Sequence, residues 1–267
     1  MTEPHLHLVR MPIDSRALST YATAKRFLDD DLGYALHFAL RATFGAAAPQ
    51  PFRLMPSTTT ARATDGLELL GYSRDAEALL AERPSEVALP DWNANWDETA
   101  PESIFAGAPT TRPMPNADQW SSSRSYDFEV LTRPVRRHGS KLRALRRSEG
   151  KSSTGQEHDA YLSAIEGLEA GEHSYTRQSV YAEWLEQRLA PAAKFDGPIV
   201  LRQFRRTRVI RSRHDQGRMQ SVEGPEALLG GTLKVLDGEA FDALLGKGVG
   251  RHGAFGLGML LLKTVRR

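Results

Sequence analysis

Six of the thirteen residues from Gly246 to Gly258 are glycine, and the chain passes from them straight into Met259-Leu-Leu-Leu. Glycine lets a backbone take positive φ and lets a second backbone approach closely. Successive amides in such a loop can face one concavity and hold phosphate oxygens. Lys247, Arg251 and His252 stand in the segment and add positive charge. As a bare pattern it also fits a flexible hairpin. It does not fit the known nucleotide loops: no strand immediately precedes it, a strand and not a helix follows, and the Gly-Lys-Ser/Thr order is missing.

Charge narrows the reading further. The net charge is only +2, but it is unevenly placed. Residues 133–151 hold eight basic residues against one acid, and residues 202–213 hold six arginines and no acid. Acids gather instead in 65–102 and 156–186. Segregated charge on a nearly neutral chain points to a local face for a polyanion. The alternative is a set of solvated surface arginines. Arginine dominates these runs, and its planar fork suits phosphates and base edges. With no cysteine, disulfides, thiolate catalysis and cysteine zinc sites are excluded. No apolar run approaches the roughly 20 residues a membrane helix needs. The first residues lack the pattern of a signal peptide, so a cytoplasmic location is expected.

Periodicity predicts strands over 5–13, 52–57, 67–72, 126–137, 198–213, 227–236 and 255–265. It predicts helices over 19–31, 32–44, 75–82, 158–169, 178–189 and 238–245. Residues 90–125, rich in Pro, Trp, Asn and Ser, read as a long loop or bridge. Each half then runs roughly strand, helix, strand, strand, helix, strand. The fold class expected is α+β: two tandem ferredoxin-like (RRM-like) domains with antiparallel sheets, 1–124 and 125–267. The second would carry an arginine-rich insert, 139–156, and the glycine-rich loop, 246–258.

Three blocks carry a family resemblance. Phe241-Asp-Ala-Leu-Leu, followed by Gly248-Val-Gly-Arg-His-Gly-Ala-Phe-Gly-Leu-Gly-Met-Leu260, resembles the terminal glycine-rich loop of CRISPR-associated repeat-RNA endonucleases. Tyr34-Ala-Leu-His-Phe-Ala-Leu-Arg-Ala-Thr-Phe44 is similar to the Tyr-x-x-His-x-x-Leu-x-x-x-Phe helix of the CasE branch. Tyr126 to Arg137, with Gln156 to Leu162 after it, resembles that branch's mid-chain strand and the helix that follows. The resemblance implies tandem ferredoxin-like folds, a catalytic His37 with Tyr34 beside it, and cleavage of repeat RNA at the base of a hairpin. It also implies a 2′,3′-cyclic phosphate product, retention of the hairpin and assembly with other subunits of a CRISPR surveillance complex. The protein is otherwise expected to be monomeric. The basic insert departs from the branch and is similar to the arginine-rich finger of type IV repeat endonucleases, where arginines share or take over catalysis.

The chemistry asks for few groups. A 2′-hydroxyl attacks the adjacent phosphate in line, so the protein has to align the groups, move protons and stabilise charge. Tyr34, His37 and Arg41, three and four residues apart, share one helical stripe. His37 suits proton transfer, Tyr34 would orient, and Arg41 and Arg26 would hold phosphate. The RNA-binding candidates are Arg136, Arg137, Lys141, Arg143, Arg146 and Arg147, then Arg205, Arg206 and Arg208, and Lys247, Arg251 and His252 in the loop. No metal-ligand spacing is evident and no cofactor is expected; Asp29-Asp30-Asp31 reads as a solvated helix end. Two other readings stay open: a non-catalytic RNA-binding subunit, and an unrelated ferredoxin-like metabolic enzyme. The latter needs an acidic or cofactor pocket that the sequence does not display.

Binding to hairpin RNA should therefore weaken steeply with salt, on the order of 10³-fold from ~50 to ~200 mM if about six phosphates are neutralised. A filter-binding or fluorescence titration showing little change would remove the polyanion face.

Overall fold

The computed structural model describes residues 5–25, 27, 32–57, 66–81, 100–120, 123–137, 157–166, 168, 174–212 and 219–264. Strand β1 (His7–Asp14) shows the expected two-residue period, sending Val9, Met11 and Ile13 into the core. Asp14 ends it and caps the next helix: its side chain accepts a hydrogen bond from the Ala17 amide at 2.8 Å. Helix α1 (Ser15–Ala24) therefore starts earlier than the apolar pattern predicts. Helix α2 (Leu32–Phe44) has the predicted bounds and buries Leu36, Leu40 and Phe44. β2 (Phe52–Pro56), β3 (Gly66–Ser73) and the short α3 (Ala76–Ala81) follow.

The stretch expected to be a loop holds a strand, β4 (Thr110–Pro113), which pairs with β1. The antiparallel sheet order is β2-β3-β1-β4, the order of a ferredoxin-like unit. One face of this sheet packs on α1 and α2. The other face, with Leu6 and Tyr72, joins the core of the second half.

The second half begins with β5 (Ser125–Thr132). A single strand over 126–137 does not form: Pro134 lacks an amide donor, and pairing resumes only at β6 (Val135–Arg137), against β7 (Glu157–Asp159). His158, placed in a helix by periodicity, is thus in a strand, and Asp159 caps α4 (Ala160–Ile165) by accepting from the Tyr161 amide. Then come α5 (Arg177–Leu189), β8 (Ala193–Phe195), β9 (Val200–Ser212), β10 (Met219–Val235), α6 (Gly238–Lys247) and β11 (Leu260–Thr264). β10 pairs with β9 along most of its length and is longer than predicted. The sheet runs β11-β5-β10, with β9 and β8 both against β10. Counting β9 as its second strand, it has the same ferredoxin-like order. Both halves are therefore ferredoxin-like and built around antiparallel sheets.

The halves are locked together polar group by polar group. The Tyr72 hydroxyl, fully buried, donates to the Leu260 carbonyl at 2.9 Å, and burial pushes its phenol pKa up. Arg74 at the end of β3 pairs with Asp242 of α6 at 2.6 Å. Arg53 of β2 lies 3.6 Å from Glu129 of β5, a buried carboxylate that Arg202 at 2.6 Å and Lys263 at 3.3 Å also neutralise. Replacing Tyr72→Phe should cost about 1 kcal/mol, seen as a lower urea midpoint. An unchanged midpoint would mean this bond does not hold the halves.

Candidate active site and RNA interface

The glycine-rich segment leaves α6 at Lys247 and returns to β11 at Leu260, and its base is pinned to β5. The Val249 amide donates to the Gly258 carbonyl and the Gly258 amide to the Leu131 carbonyl, each at 2.7 Å. Between these anchors Gly250 takes φ +82, with its α-carbon so near the Trp184 ring of α5 that a Cβ would come within 2.9 Å of it. His252 is in the left-handed region at φ 71 and precedes a single 3₁₀ turn, Gly253–Phe255. The continuous strand expected from 255 therefore starts only at Leu260.

That turn seats Phe255 on α2. Its ring centroid lies 5.5 Å from Tyr34 and 5.0 Å from His37, edge-on to the imidazole. Gly33 permits the approach: a Cβ there would stand 2.2 Å from the Phe255 carbonyl oxygen. The structure thus brings the early helix and the late loop, more than two hundred residues apart, into one site. Phe255 and Gly33 were not identified from the sequence. The available signal was an aromatic residue isolated among glycines, a side chain with no local partner to pack on.

His37 is half-buried, and its pKa is lowered by burial first and by the neighbouring Arg41 second. Its ring also meets Phe38, which is exposed. Tyr34 is buried among Phe27, Phe38 and Phe255, so its ring shapes the wall behind His37. Arg41, one turn on, is exposed and has no ion pair among the described residues. Arg26 lies outside the described residues.

The basic candidates divide. Arg251 and His252 both reach Glu157 at the start of β7, at 3.0 and 3.1 Å, and this carboxylate is almost wholly buried. They fasten the loop to the β6–β7 pair. Arg136 lies 3.7 Å from Glu183. Arg188 of α5, not singled out from the sequence, stacks 3.8 Å over Trp184. Burial and the charges of Arg136 and Arg251 pull its pKa down to about 10. On β9, Arg205 pairs with Glu226 at 2.5 Å and Arg206 with Glu223 at 3.1 Å. Arg137, Arg208 and Lys247 are exposed with no ion pair among the described residues. Lys141, Arg143, Arg146, Arg147 and the whole insert 139–156 lie outside the described residues. Among the described residues no group of three His, Asp or Glu could hold a metal ion, and no helix is long and apolar enough to cross a membrane.

A family model described as CRISPR associated protein matches residues 6–264. The chain belongs to this CRISPR-associated family. Among solved structures it is similar to the CRISPR endoribonuclease Cse3 bound to a 19-nucleotide RNA, with a TM-score of 0.56 and 21% identity over 97% of this chain and 99% of that one. It is also similar to Thermus thermophilus Cse3 bound to an RNA representing a pre-cleavage complex, with a TM-score of 0.52, 17% identity and coverage of 97% and 99%. A chain of a CRISPR RNA-guided surveillance complex in a pre-nicking state gives 0.53, 14%, and 97% and 100%. At these identities the likeness establishes the shared two-unit fold. No curated protein sequence matches the chain.

Gly33→Ala should drive the Phe255 turn off α2. The His37 ring-proton resonances should shift as the Phe255 ring leaves, while the far-UV spectrum is retained. Unchanged resonances in Gly33→Ala would show that the contact does not shape the site.

Proposed function

We propose that this protein is a metal-independent endoribonuclease that binds the hairpin of CRISPR repeat RNA and cuts at its base. Family membership and a fold shared with RNA-bound Cse3 support repeat-RNA binding and processing. The observation that carries the finer reading is Phe255 seated against His37, because it puts a titratable group of the first half beside the phosphate-binding loop of the second.

In this reading the hairpin lies along the basic groups of the second half, held through shape and phosphates, since the deep, narrow major groove of A-form RNA resists base reading. The backbone of the glycine loop and Arg41 hold the phosphate at the cut, with Arg26 a second candidate for it. The depressed pKa keeps His37 neutral near pH 7, so its imidazole takes the 2′ proton. The 2′ oxygen attacks phosphorus, the bond to the 5′ oxygen breaks as that oxygen takes up a proton from solvent, and a 2′,3′-cyclic phosphate forms. Guanidinium groups stabilise the added charge and do not act as bases. Tyr34 holds the imidazole in place through the aromatic wall. The cut hairpin stays bound and is passed on in a CRISPR ribonucleoprotein with other subunits, in the cytoplasm.

The acidic limb of the single-turnover rate should then have its midpoint below about 6.5, the ordinary histidine value. The sign follows from the cause: burial and Arg41 both disfavour the imidazolium, so the reactive base persists to lower pH. Arg41→Ala should move the midpoint up toward the ordinary value, and His37→Ala should cost about 10²–10⁴ in rate. A midpoint that ignores Arg41 would remove His37 as the base.

The decisive test is cleavage of a hairpin repeat in EDTA, beside the same RNA carrying one 2′-deoxy sugar at the cut. Cutting of the first alone, with a cyclic phosphate end, is expected. Magnesium dependence, or cutting of the deoxy substrate, would overturn the mechanism. Binding without any cutting would leave an RNA-holding subunit.

A further inference from the structure

Arg41 borders a second feature of the fold. Besides neighbouring His37, it lines an open cavity of about 290 Å³ where the two halves meet. Leu6 and Tyr72, both almost wholly buried, lie behind its wall, and Gly246, at the threshold of the glycine-rich segment, closes the side contributed by the second half. That side is fixed, because Arg74, also at the wall, is tied to Asp242 of α6. The polar groups left facing the space differ from those of an ordinary structural cleft. Gln50 is exposed, and its side chain has no hydrogen bond among the described residues. Asp75 uses one carboxylate oxygen on the Ala78 amide at 3.3 Å, which leaves the second unspent. Arg41 at the rim has no carboxylate partner among the described residues.

The cavity is at the small end of ligand pockets, about 300 Å³ and upward, and so has room for one planar ring system and not for a stacked pair. An acceptor carboxylate and a carboxamide in the lining, together with the guanidinium of Arg41, suit a group that is hydrogen-bonding at one end and anionic at the other. Asp75 would repel a phosphate placed inside, so the anion stays at Arg41. Arg41 is one helical turn, about 5–6 Å, from His37, so the phosphate it holds at the cut can belong to the nucleotide seated in the cavity. Proteins read unpaired bases at the ends of RNA stems largely through hydrogen bonds to the base edges.

We propose that this cavity takes the base of one unpaired ribonucleotide next to the cleaved bond, with that nucleotide's phosphate at Arg41. The inference rests on the repeat-endonuclease reading and adds to it a site for the single-stranded flank. Asp75 accepts from an exocyclic amino group and Gln50 offers paired donor and acceptor, so the pocket selects an amino-bearing base, adenine above all, against uracil.

The test uses the full-length protein and hairpin RNAs made uncleavable by a 2′-deoxy sugar at the cut. Each unpaired position on either side of the stem base is made abasic in turn, and Kd is measured at fixed salt. One position should weaken binding by about tenfold, in the range of a lost base contact, and uracil there should do nearly as much. Gln50→Ala should bind the intact RNA more weakly and lose the distinction between intact and abasic strands. Gln50→Met, which keeps the side-chain length, should do the same, and both should melt like the parent. Equal binding at every abasic position, or a penalty that survives both Gln50 variants, would overturn the pocket. A natural hairpin run alongside keeps the two ideas separate: if it is bound but never cut, the endonuclease reading fails, and the pocket still stands or falls on the binding comparison.

Discussion

The contact between the Phe255 turn and Gly33 is the constraint on which the site depends. A helix of the first ferredoxin-like unit and a loop of the second meet only because one position on the helix has no side chain, so that a carbonyl oxygen can lie where a Cβ would be. Everything else in the segment serves that seating. Its base is sewn to β5 through the Leu131 carbonyl, its middle rests on Trp184, and Glu157 holds Arg251 and His252. The Tyr72, Arg74 and Arg53 contacts between the halves hold the two frames in register, so the meeting point is reproducible.

Electrostatics is less generous than the raw arginine runs suggest. Buried or half-buried carboxylates have been placed opposite many of the guanidiniums: Glu129 for Arg202 and Arg53, Glu226 for Arg205, Glu157 for Arg251. These pairs organise strands and loops, and an arginine so paired presents less field to a polyanion than a lone one. The charge that remains for RNA is concentrated where pairing is absent among the described residues or where like charges crowd. Arg41, Arg137, Arg208 and Lys247 belong to the first kind, and Arg188, which feels the charges of Arg136 and Arg251, to the second. Segregation along the sequence predicted a basic face; only three-dimensional placement shows which arginines are committed to structure.

Much of the architecture was legible in the sequence because its signals are local. The α2 stripe, the alternation of β1 and the glycine cluster each depend on near neighbours, and the glycine loop and His37 helix were expected to work together. β4 was illegible: Thr110-Thr-Arg-Pro113 has no apolar alternation, since an edge strand is fixed by its partner's backbone and not by burial. The break at Arg133-Pro134 was hidden by the apolar period continuing across it. Arg133, fully buried, spends its guanidinium on the Pro225 and Thr207 carbonyls of the β9–β10 pair, a contact that no window of sequence contains. Phe255 and Gly33 were missed for the same reason, being meaningful only as a pair.

Phe255 and α2 flank the His37 imidazole, and the burial they impose lowers its proton affinity. The most direct measurement is an NMR titration of the His37 ring carbon-bound protons in the parent and in Phe255→Ala. A parent pKa below about 6.5 is expected, rising toward that value once Phe255 is gone. An identical, ordinary titration in both proteins would contradict it.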